Sequence, residues 1–332
     1  MIGGSGIMRI VVVGLGSMGK RRIRLLKEYL QCEVVGVDTC PERVQQAVEL
    51  YSIPCFSSLE DAFQTYPIEA GVVCTSPLSH FQIAKILLEH NIHVFTELNL
   101  VSDGYKELIE LAKQKEKVLF LSSTKLYRYE VKRIEDVIRG EKGLNYVYHI
   151  GQYLPDWHPW EDYRNFFVSN VRTNACREIF AIELPWLISL FGDIENIKVV
   201  KQKSSSLDIE YPDTYMVLAE HGNKAMGTII VDVVSRKAVR DFRLFNEKVM
   251  VQWDGTPNGY YELNLEKKQM EAYEFSKKII KDKNYADNII ENDYLEELRA
   301  YMDKIENPSH KYYDFKDDFR VLQHIEYIEG NR

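Results

Sequence analysis

The sequence contains no long basic block and no long apolar run. Its 42 lysines and arginines are outnumbered by 50 aspartates and glutamates, which gives a net charge of −8. Because attraction to phosphates dominates nucleic-acid binding, we expect neither DNA, RNA nor an anionic membrane as a partner. No apolar stretch approaches the roughly 18 residues of a membrane span, and the N-terminus lacks the layout of a signal peptide. A cytoplasmic protein is therefore expected.

Paired cysteines and clustered metal ligands are also missing. The five cysteines are odd in number and form no C-x-x-C pair, so neither a disulfide framework nor a zinc site is expected. The 332 residues are 45% apolar, which is enough for about two domains with ordinary cores. The 21 tyrosines outnumber the 14 phenylalanines and 4 tryptophans together, which suits a polar, ring-shaped ligand.

From Met8 onward, short β-branched runs alternate with stretches of helical periodicity. The predicted strands are MRIVVVG, EVVGVD, AGVVCTS, HVFTE and VLFLSST. Strands separated by helices form βαβ units with a parallel sheet. The pattern predicts an α/β fold whose N-terminal domain, residues 8–122, is a Rossmann doubly wound parallel sheet.

The regular alternation of strands and helices ends before residues 123–332, which form the predicted second domain. LNYVYHIGQY alternates as a strand, and two probable hairpins follow, DTYMVLAE with AMGTIIVDVV and VRDFRLF with KVMVQWDG. Two helical patterns close the chain, NDYLEELRAYMDKI and DFKDDFRVLQHIEYI. We predict a C-terminal α+β domain with a large, mainly antiparallel, open sheet, whose closing helices pack back toward the first domain.

A glycine motif follows the first predicted strand and opens the first helix. It reads Gly14, Leu15, Gly16, Ser17, Met18, Gly19. Gly14 permits the tight turn, Gly16 lets the backbone approach a pyrophosphate, and Gly19 allows close packing of helix on sheet. Asp38 ends the next strand, at about the spacing of an acid that bonds the adenosine ribose. These features predict dinucleotide binding rather than a merely structural turn.

Asp38 also bears on the choice of cofactor. A carboxylate at this position repels the additional phosphate of NADP, whereas Arg43, five residues later, softens that preference. NAD is expected, with NADP less favoured.

Together with the glycine motif, two segments make the chain resemble the Gfo/Idh/MocA family of NAD(P)-dependent sugar and polyol oxidoreductases. Cys74 to His80 resembles the family's T-P-x-x-x-H loop, and HVFTELNL resembles its H-V-x-x-E-K-P-x segment. The resemblance implies a substrate cleft between two domains and an open sheet that forms homodimers or homotetramers. It also implies cofactor contacts at Thr75, Ser76, Pro77, His80, Glu97 and Asn99.

Two departures from the family pattern concern proton transfer. Where the family has the lysine of E-K-P, this chain has Leu98, and the position of the usual catalytic histidine falls on Ile182. Hydride transfer to or from a carbinol still requires a group that exchanges the hydroxyl proton. Lys125, after the last strand of the first domain, and Glu183 are the candidate catalytic residues. The alternatives are a solvated surface lysine and a salt-bridged helix carboxylate.

The segment from Gly151 to Arg164 is too polar and aromatic for a core strand, and it lies where the family's substrate loops begin. Aromatic rings there can stack on a sugar face, and charged groups can bind hydroxyls, a carboxylate or a phosphate. The alternative is a loop at a domain or oligomer contact. The candidate substrate-binding residues are Trp160, Asp162, Tyr163, Arg164 and Arg177.

The leading hypothesis is an NAD-dependent oxidoreductase acting on a hydroxyl or ketone of a sugar, sugar phosphate or nucleotide sugar. The WHPWEDYR segment resembles family members of surface-polysaccharide sugar biosynthesis. Because both usual proton-transfer positions are lost, a dinucleotide-binding sensor or partner subunit without hydride transfer is the alternative. A third reading is a biliverdin reductase, since the family resemblance extends to these enzymes and they also lack the E-K-P lysine. No tetrapyrrole signature accompanies it.

Overall fold

A computed structural model of the chain describes residues 7–157, 161–275, 280 and 290–330. Contacts divide the chain into two compact units. The first comprises residues 1–123 with Tyr294–Phe319, and the second comprises Thr124–Asp293 with Arg320–Arg332. The boundaries drawn from the sequence, 8–122 and 123–332, stay a prediction of domain organisation.

The first unit is built on a six-stranded parallel sheet in the order β3-β2-β1-β4-β5-β6. Its strands are Arg9–Val13 (β1), Glu33–Val37 (β2), Cys55–Phe56 (β3), Ala70–Val73 (β4), His93–Thr96 (β5) and Leu119–Leu121 (β6). The order reverses between β1 and β4, and ligands of such sheets bind at this reversal, beyond the carboxyl ends of the strands. The predicted doubly wound Rossmann sheet is confirmed.

Helices connect these strands as right-handed crossovers require. They are Ser17–Glu28 (α1), Pro41–Tyr51 (α2), Leu59–Thr65 (α3), His80–Glu89 (α4) and Tyr105–Gln114 (α5). Local chemistry defines several of their starts: Pro41 occupies the first position of α2, and the Ser58 hydroxyl accepts the Asp61 N–H at the start of α3. Within this unit Tyr301 also packs on Phe95 and Phe120.

The second unit contains an eight-stranded sheet in the order β14-β13-β12-β11-β7-β10-β9-β8. Its strands are Asn145–Gly151 (β7), Ile194–Gln202 (β8), Thr214–His221 (β9), Met226–Asp232 (β10), Val239–Phe245 (β11), Met250–Trp253 (β12), Tyr260–Asn264 (β13) and Gln269–Ala272 (β14). Only β7 and β10 pair in parallel. The expectation of a mainly antiparallel second sheet is confirmed.

The second unit also contains two helices, Tyr129–Ile138 (α6) and Ala175–Phe191 (α7). Alternation along the strands directs Tyr146 and Tyr148 inward, where Tyr146 stacks on Phe191 and Tyr148 packs edge-on against Trp186. Both tyrosines are fully buried. The abundance of tyrosine therefore serves the core as well as any ligand.

The closing helices are Glu291–Glu306 (α8) and Phe315–Glu329 (α9).

Four strands were absent from the sequence prediction: β3, β8, β13 and β14. β3 has two residues, which is too short for any alternation to show. β8 is exposed along most of its length as the edge of the sheet, so its sequence IENIKVVKQ carries little apolar signal. Within the described residues, no helix has both the length and the apolar character to cross a membrane.

Candidate functional site

The glycine turn after β1 is fixed by steric constraints. Gly14 has a φ of +92°, and a Cβ there would lie 2.8 Å from the carbonyl carbon of Cys74. A Cβ on Gly19 would lie 1.9 Å from the carbonyl oxygen of Gly14. Only glycine fits either position without moving the backbone. The turn therefore brings helix α1 against the carboxyl end of β1.

Gly16 is different, because space is available around it. A Cβ on this residue would meet nothing within 4 Å, although its φ of −71° is allowed for any residue. Gly16 is the N-cap of α1 and supplies no side-chain acceptor to the N–H groups of the first turn, where Ser17 and Met18 follow. An open surface at a helix N-terminus fits a phosphate group.

Asp38 follows β2 directly and is 7% exposed. One carboxylate oxygen accepts the Leu15 N–H at 2.7 Å, and the other accepts the Cys40 N–H at 2.8 Å. The carboxylate thus ties the glycine turn to the start of α2, and each oxygen has a lone pair left for a ribose hydroxyl. The guanidinium of Arg43 is 3.8 Å away and half exposed.

The loop after β4 contains Thr75, Ser76 and Pro77. Ser79 donates its hydroxyl to the carbonyl of Ser76 at 2.8 Å, and Pro77 begins a short 3-10 turn that leads into α4. These residues lie at the carboxyl end of β4, beside the carbonyl of Cys74 that packs on Gly14. The predicted cofactor contacts Thr75, Ser76 and Pro77 therefore lie together with the glycine turn.

His80 and Asn99 join the loops that follow β4 and β5. The imidazole Nδ1 lies 2.6 Å from the amide oxygen of Asn99, and Nε2 lies 2.9 Å from the carbonyl oxygen of Thr75. His80 is 3% exposed, and this burial lowers its pKa below the ordinary value. With its two ring nitrogens facing oxygen atoms of these two loops, the buried imidazole fits a supporting role better than a catalytic one.

Glu97 directly follows β5 and is held by an arginine from α1. The Arg22 Nε donates to the Glu97 Oε1 at 2.5 Å, and the Cys74 sulfur is 4.0 Å from the same oxygen. Glu97 is 9% exposed, so its carboxylate lies just below the surface at the carboxyl edge of the sheet.

Lys125 lies in a short 3-10 turn, Thr124–Tyr127, of the second unit. Its amine is 5.8 Å from the centroid of the Trp253 ring, and no hydrogen bond or ion pair reaches it from the described residues. Burial, together with the positive charge of Arg240, lowers the pKa of Lys125 to about 7. Lys125 is half-buried rather than fully solvated, and its role in proton exchange stays a prediction. At neutral pH this amine can both accept and donate a proton.

Glu183 lies near Lys125 but cannot exchange protons in the same way. Its carboxylate accepts the Tyr148 hydroxyl at 2.8 Å and the Trp186 Nε1–H at 2.7 Å, and it is ion-paired with Arg240. Burial acts to raise its pKa, but Arg240, Lys125 and the hydrogen bonds outweigh it and lower the pKa to about 2. The geometry contradicts a proton-transfer role and matches the salt-bridged helix carboxylate.

Among the predicted substrate residues, Arg177 is engaged elsewhere. It is 4% exposed and forms an ion pair with Glu329 within the second unit. An arginine buried on a carboxylate stabilises the fold, and the prediction that Arg177 binds substrate does not agree with this arrangement.

The other predicted substrate residues differ in placement. Asp162 accepts from the Arg164 Nε at 3.0 Å, and both side chains are exposed. The Tyr163 hydroxyl accepts the Asp208 N–H at 3.0 Å. Tyr163 also borders a small pocket whose other lining residues are Leu154, Trp157, Glu161, Phe166 and Val168. Trp160 lies outside the described residues.

Sequence reasoning missed two charged groups, Arg22 and Arg240. Arg22 and Glu97 form the ion pair described above, and Arg240 contacts Glu183. A signal existed for both arginines: Arg22 is one turn from the buried Leu25 and Leu26, and Arg240 alternates with Phe242 on the inward face of β11.

Glu178, in the first turn of α7, is a further acidic group of the second unit. Its Oε2 is buried and has no hydrogen-bond partner among the described residues. Burial raises its pKa to about 7. No three His, Cys, Asp or Glu side chains cluster as a metal site in the part of the chain that the structure describes.

A six-stranded sheet in this order, a strand-glycine turn-helix unit and an acid after β2 define a dinucleotide-binding Rossmann domain. Residues 8–123 match the family model described as an oxidoreductase family with an NAD-binding Rossmann fold, GFO_IDH_MocA. This match spans the strands and helices of the parallel sheet, and it confirms the resemblance stated from the sequence.

Similar proteins include enzymes with different substrates. Mouse biliverdin reductase A is 27% identical over 209 residues, which are 62% of this chain and 64% of the relative. A UDP-N-acetylglucosamine 3-dehydrogenase from Acidithiobacillus ferrooxidans is 15% identical with a TM-score of 0.76, covering 98% of this chain and 97% of that one. Biliverdin reductase from Synechocystis, in complex with biliverdin and NADP+, is 16% identical with a TM-score of 0.69, covering 97% and 98%. The structural likenesses show the fold.

Proposed function

We propose that this protein is an NAD-dependent oxidoreductase that acts on a hydroxyl or ketone carbon of a sugar, sugar phosphate or nucleotide sugar. The observation that carries the proposal is the open surface at Gly16, flanked by the loop after β4 and by Asp38, in a domain of an NAD-binding oxidoreductase family. When bound, the dinucleotide supplies or accepts a hydride.

The residues of the first unit fit a dinucleotide along the carboxyl edge of the sheet. The N–H groups that begin α1, next to Gly16, would bind the pyrophosphate, and Asp38 would accept hydrogen bonds from the adenosine ribose. The loop after β4 and Glu97 lie in the second mononucleotide-binding half of the sheet, where the nicotinamide half belongs. His80 holds that loop in place.

The preference for NAD over NADP is part of the proposal. The Asp38 carboxylate accepts two backbone N–H groups, and its negative charge opposes a 2′-phosphate. Arg43 is close enough to weaken this preference but does not cover the carboxylate, since the two side chains are 3.8 Å apart.

Lys125 is the proposed proton-exchanging group. A carbinol that loses a hydride must also lose its hydroxyl proton, and a ketone that gains a hydride must gain one. An amine with a pKa of about 7 serves both directions near neutral pH. The negative charge of Glu183 raises the pKa of Lys125, and the positive charge of Arg240 lowers it.

The sugar class rests on two supports. The fold is shared with a UDP-N-acetylglucosamine 3-dehydrogenase, and the exposed Asp162 and Arg164 offer the acceptors and donors that sugar hydroxyls or a phosphate require. The polar segment around Asp162 also supports a place in surface-polysaccharide sugar biosynthesis, as the sequence resemblance implies.

A second candidate is reduction of a linear tetrapyrrole. It is favoured by one specific observation, the 27% identity with mouse biliverdin reductase A over 62% of this chain. The chain matches 64% of that relative's length, so the relative's activity is not transferred as a whole.

The deciding experiment mixes the purified protein with NADH and, separately, with NADPH, and follows the whole spectrum after adding keto sugars, UDP-keto sugars or biliverdin. Loss of the reduced-nicotinamide absorbance with a keto sugar supports the leading proposal, and a shift of the bilin band supports the second candidate. Tight NADH binding with no turnover of any substrate favours a sensor or partner subunit. Lys125→Met should abolish sugar turnover, whereas Lys132→Met, a change on the neighbouring helix α6, should leave it unchanged.

The oligomeric state belongs to the same proposal. The outward face of the second sheet exposes apolar side chains on five strands: Val147, Val200, Met216, Leu218, Met226 and Phe245. A contiguous apolar face of this kind is typical of a protein interface. We infer a homodimer or homotetramer that covers this face with a second copy.

A further inference from the structure

Two cations of the second unit lie in one cluster with the carboxylate of Glu183. Arg240, on the inward face of β11, is ion-paired with Glu183 of α7 through its Nη1. The Lys125 amine lies 5.8 Å from the centroid of the Trp253 ring, and this ring lies 6.1 Å from that of Trp186. The Trp186 Nε1–H in turn donates to Glu183 at 2.7 Å. Aromatic rings and a carboxylate therefore connect the two cations.

The Lys125 amine has no partner of its own. It is half-buried, and no hydrogen bond or ion pair reaches it from the described residues. Arg240 and Arg128 repel its charge, whereas Glu183 and Asp293 attract it, and burial with the repulsion lowers its pKa to about 7. Because this cation loses hydration without gaining a hydrogen bond, an anion that reaches it would stabilise the protonated form.

Arg240 uses only one nitrogen of its guanidinium within the cluster. Nη1 contacts Glu183 and lies 3.5 Å from the Tyr148 hydroxyl, and no described residue accepts from Nε or Nη2. The side chain is 21% exposed, and both of these nitrogens are accessible to solvent. Nε and Nη2 lie side by side on the planar guanidinium, so they can donate in parallel to two oxygens of a carboxylate or phosphate.

The guanidinium of Arg240 is held in position from two sides. Gly255, in the turn after β12, has a φ of +84°, and a Cβ there would lie 2.8 Å from the Arg240 Cδ. The absence of a side chain at Gly255 therefore lets the arginine stem lie against this turn. The ion pair with Glu183 fixes the other end. An arginine already held in this way loses little side-chain freedom when it binds an anion.

We propose that Arg240 and Lys125 form an oxyanion-binding subsite, in which Arg240 donates two parallel hydrogen bonds to a carboxylate or phosphate group and the Lys125 ammonium donates a third. The inference deepens the proposed function and rests on it, since it assigns an anionic group to the substrate of that site. Sugar acids and sugar phosphates are then favoured over neutral sugars. An ammonium has three N–H groups, so one bond to the anion leaves others for the reacting oxygen.

The experiment follows the Lys125 amine of the full chain by NMR after reductive methylation with carbon-13. Its titration midpoint is measured in chloride, in acetate and in inorganic phosphate at equal ionic strength. Chloride controls for screening, and the other two anions distinguish a carboxylate from a phosphate as the source of the oxyanion. We expect a midpoint near pH 7 in chloride and a rise of about one pH unit when acetate or phosphate is present at ten times its Kd, because the anion binds the protonated amine.

Variants of β11 test the part played by the arginine. Arg240→Lys keeps a positive charge for Glu183 but lacks the parallel pair of donors, so affinity for the anion should fall about tenfold. Arg243→Lys is the matched control, because this arginine of the same strand is exposed and paired with Asp241. It should bind the anion as wild type does. Lys125→Met identifies the resonance, which should be missing from its spectrum.

Equal midpoints in chloride, acetate and phosphate would overturn the inference, and so would an undiminished anion affinity in Arg240→Lys. Neither result concerns dinucleotide binding, because no nucleotide is present in the experiment. A rise of the midpoint in a protein that binds neither NADH nor NADPH would instead support the oxyanion subsite and overturn the proposed function. The comparison of anions needs only the wild-type protein, so it remains decisive if Arg240→Lys does not fold.

Discussion

Replacing Gly16 by alanine should abolish tight dinucleotide binding without destabilising the protein. The new Cβ would meet no atom within 4 Å, and the φ of −71° suits alanine. Alanine is a poorer N-cap than glycine, but it also restricts the unfolded chain, so the two effects on the free energy of unfolding largely offset. We expect a net change within about 0.5 kcal/mol.

The loss of binding would arise because the new methyl group fills the open space beside Gly16. The methyl group would occupy the surface through which a pyrophosphate reaches the first N–H groups of α1. Loss of two hydrogen bonds to a charged group, at about 1.5 kcal/mol each, weakens binding by about 3 kcal/mol, which is over a hundredfold in Kd.

The assay is NADH titration followed by energy transfer from the tryptophans, together with thermal unfolding. Gly222→Ala is the matched control, because a Cβ there lies at an ordinary 3.5 Å from Glu195 in a turn of the second unit. That variant should bind NADH as wild type does. Unchanged NADH affinity in Gly16→Ala would refute the placement of the pyrophosphate.

Four further predictions follow from the packing and charges. Gly19→Ala should lower the unfolding free energy by at least about 2 kcal/mol, because its Cβ would overlap the Gly14 carbonyl; an unchanged denaturation midpoint would contradict this. The Lys125 amine, after reductive methylation with carbon-13, should titrate in NMR near pH 7. That resonance should be missing from Lys125→Met, and a midpoint near 10 would remove the residue from proton exchange. Arg177→Met should cost about 3 kcal/mol of stability, since it leaves Glu329 buried without its ion pair, and should leave NADH affinity intact. Leu218→Glu should reduce the sedimentation coefficient to that of a monomer if the exposed sheet face is an oligomer contact.

The dinucleotide end of the fold was predictable because its signals are local. Gly14 has a positive φ in the turn, Gly19 packs against the Gly14 carbonyl, and Asp38 is placed by the strand that precedes it. The hairpins of the second sheet were also predictable from the sequence, because each one pairs neighbouring strands through a short turn.

The charge environment was not predictable, because it depends on distant partners. Glu183 was a reasonable proton carrier until Arg240, 57 residues later, was found against it. Arg177 was similarly predicted to bind substrate, although Glu329, 152 residues later, pairs with it. Periodicity along one element cannot say which distant carboxylate an arginine meets.

The measurement that tests the central claim most directly is binding of NADH and NADPH to the purified protein, followed by energy transfer from tryptophan, with Asp38→Ala beside the wild type. The account predicts saturable NADH binding that is tighter than NADPH binding, and a loss of that preference in Asp38→Ala. Failure of the wild-type protein to bind either nucleotide would contradict the account, because the glycine turn would then have a structural role alone.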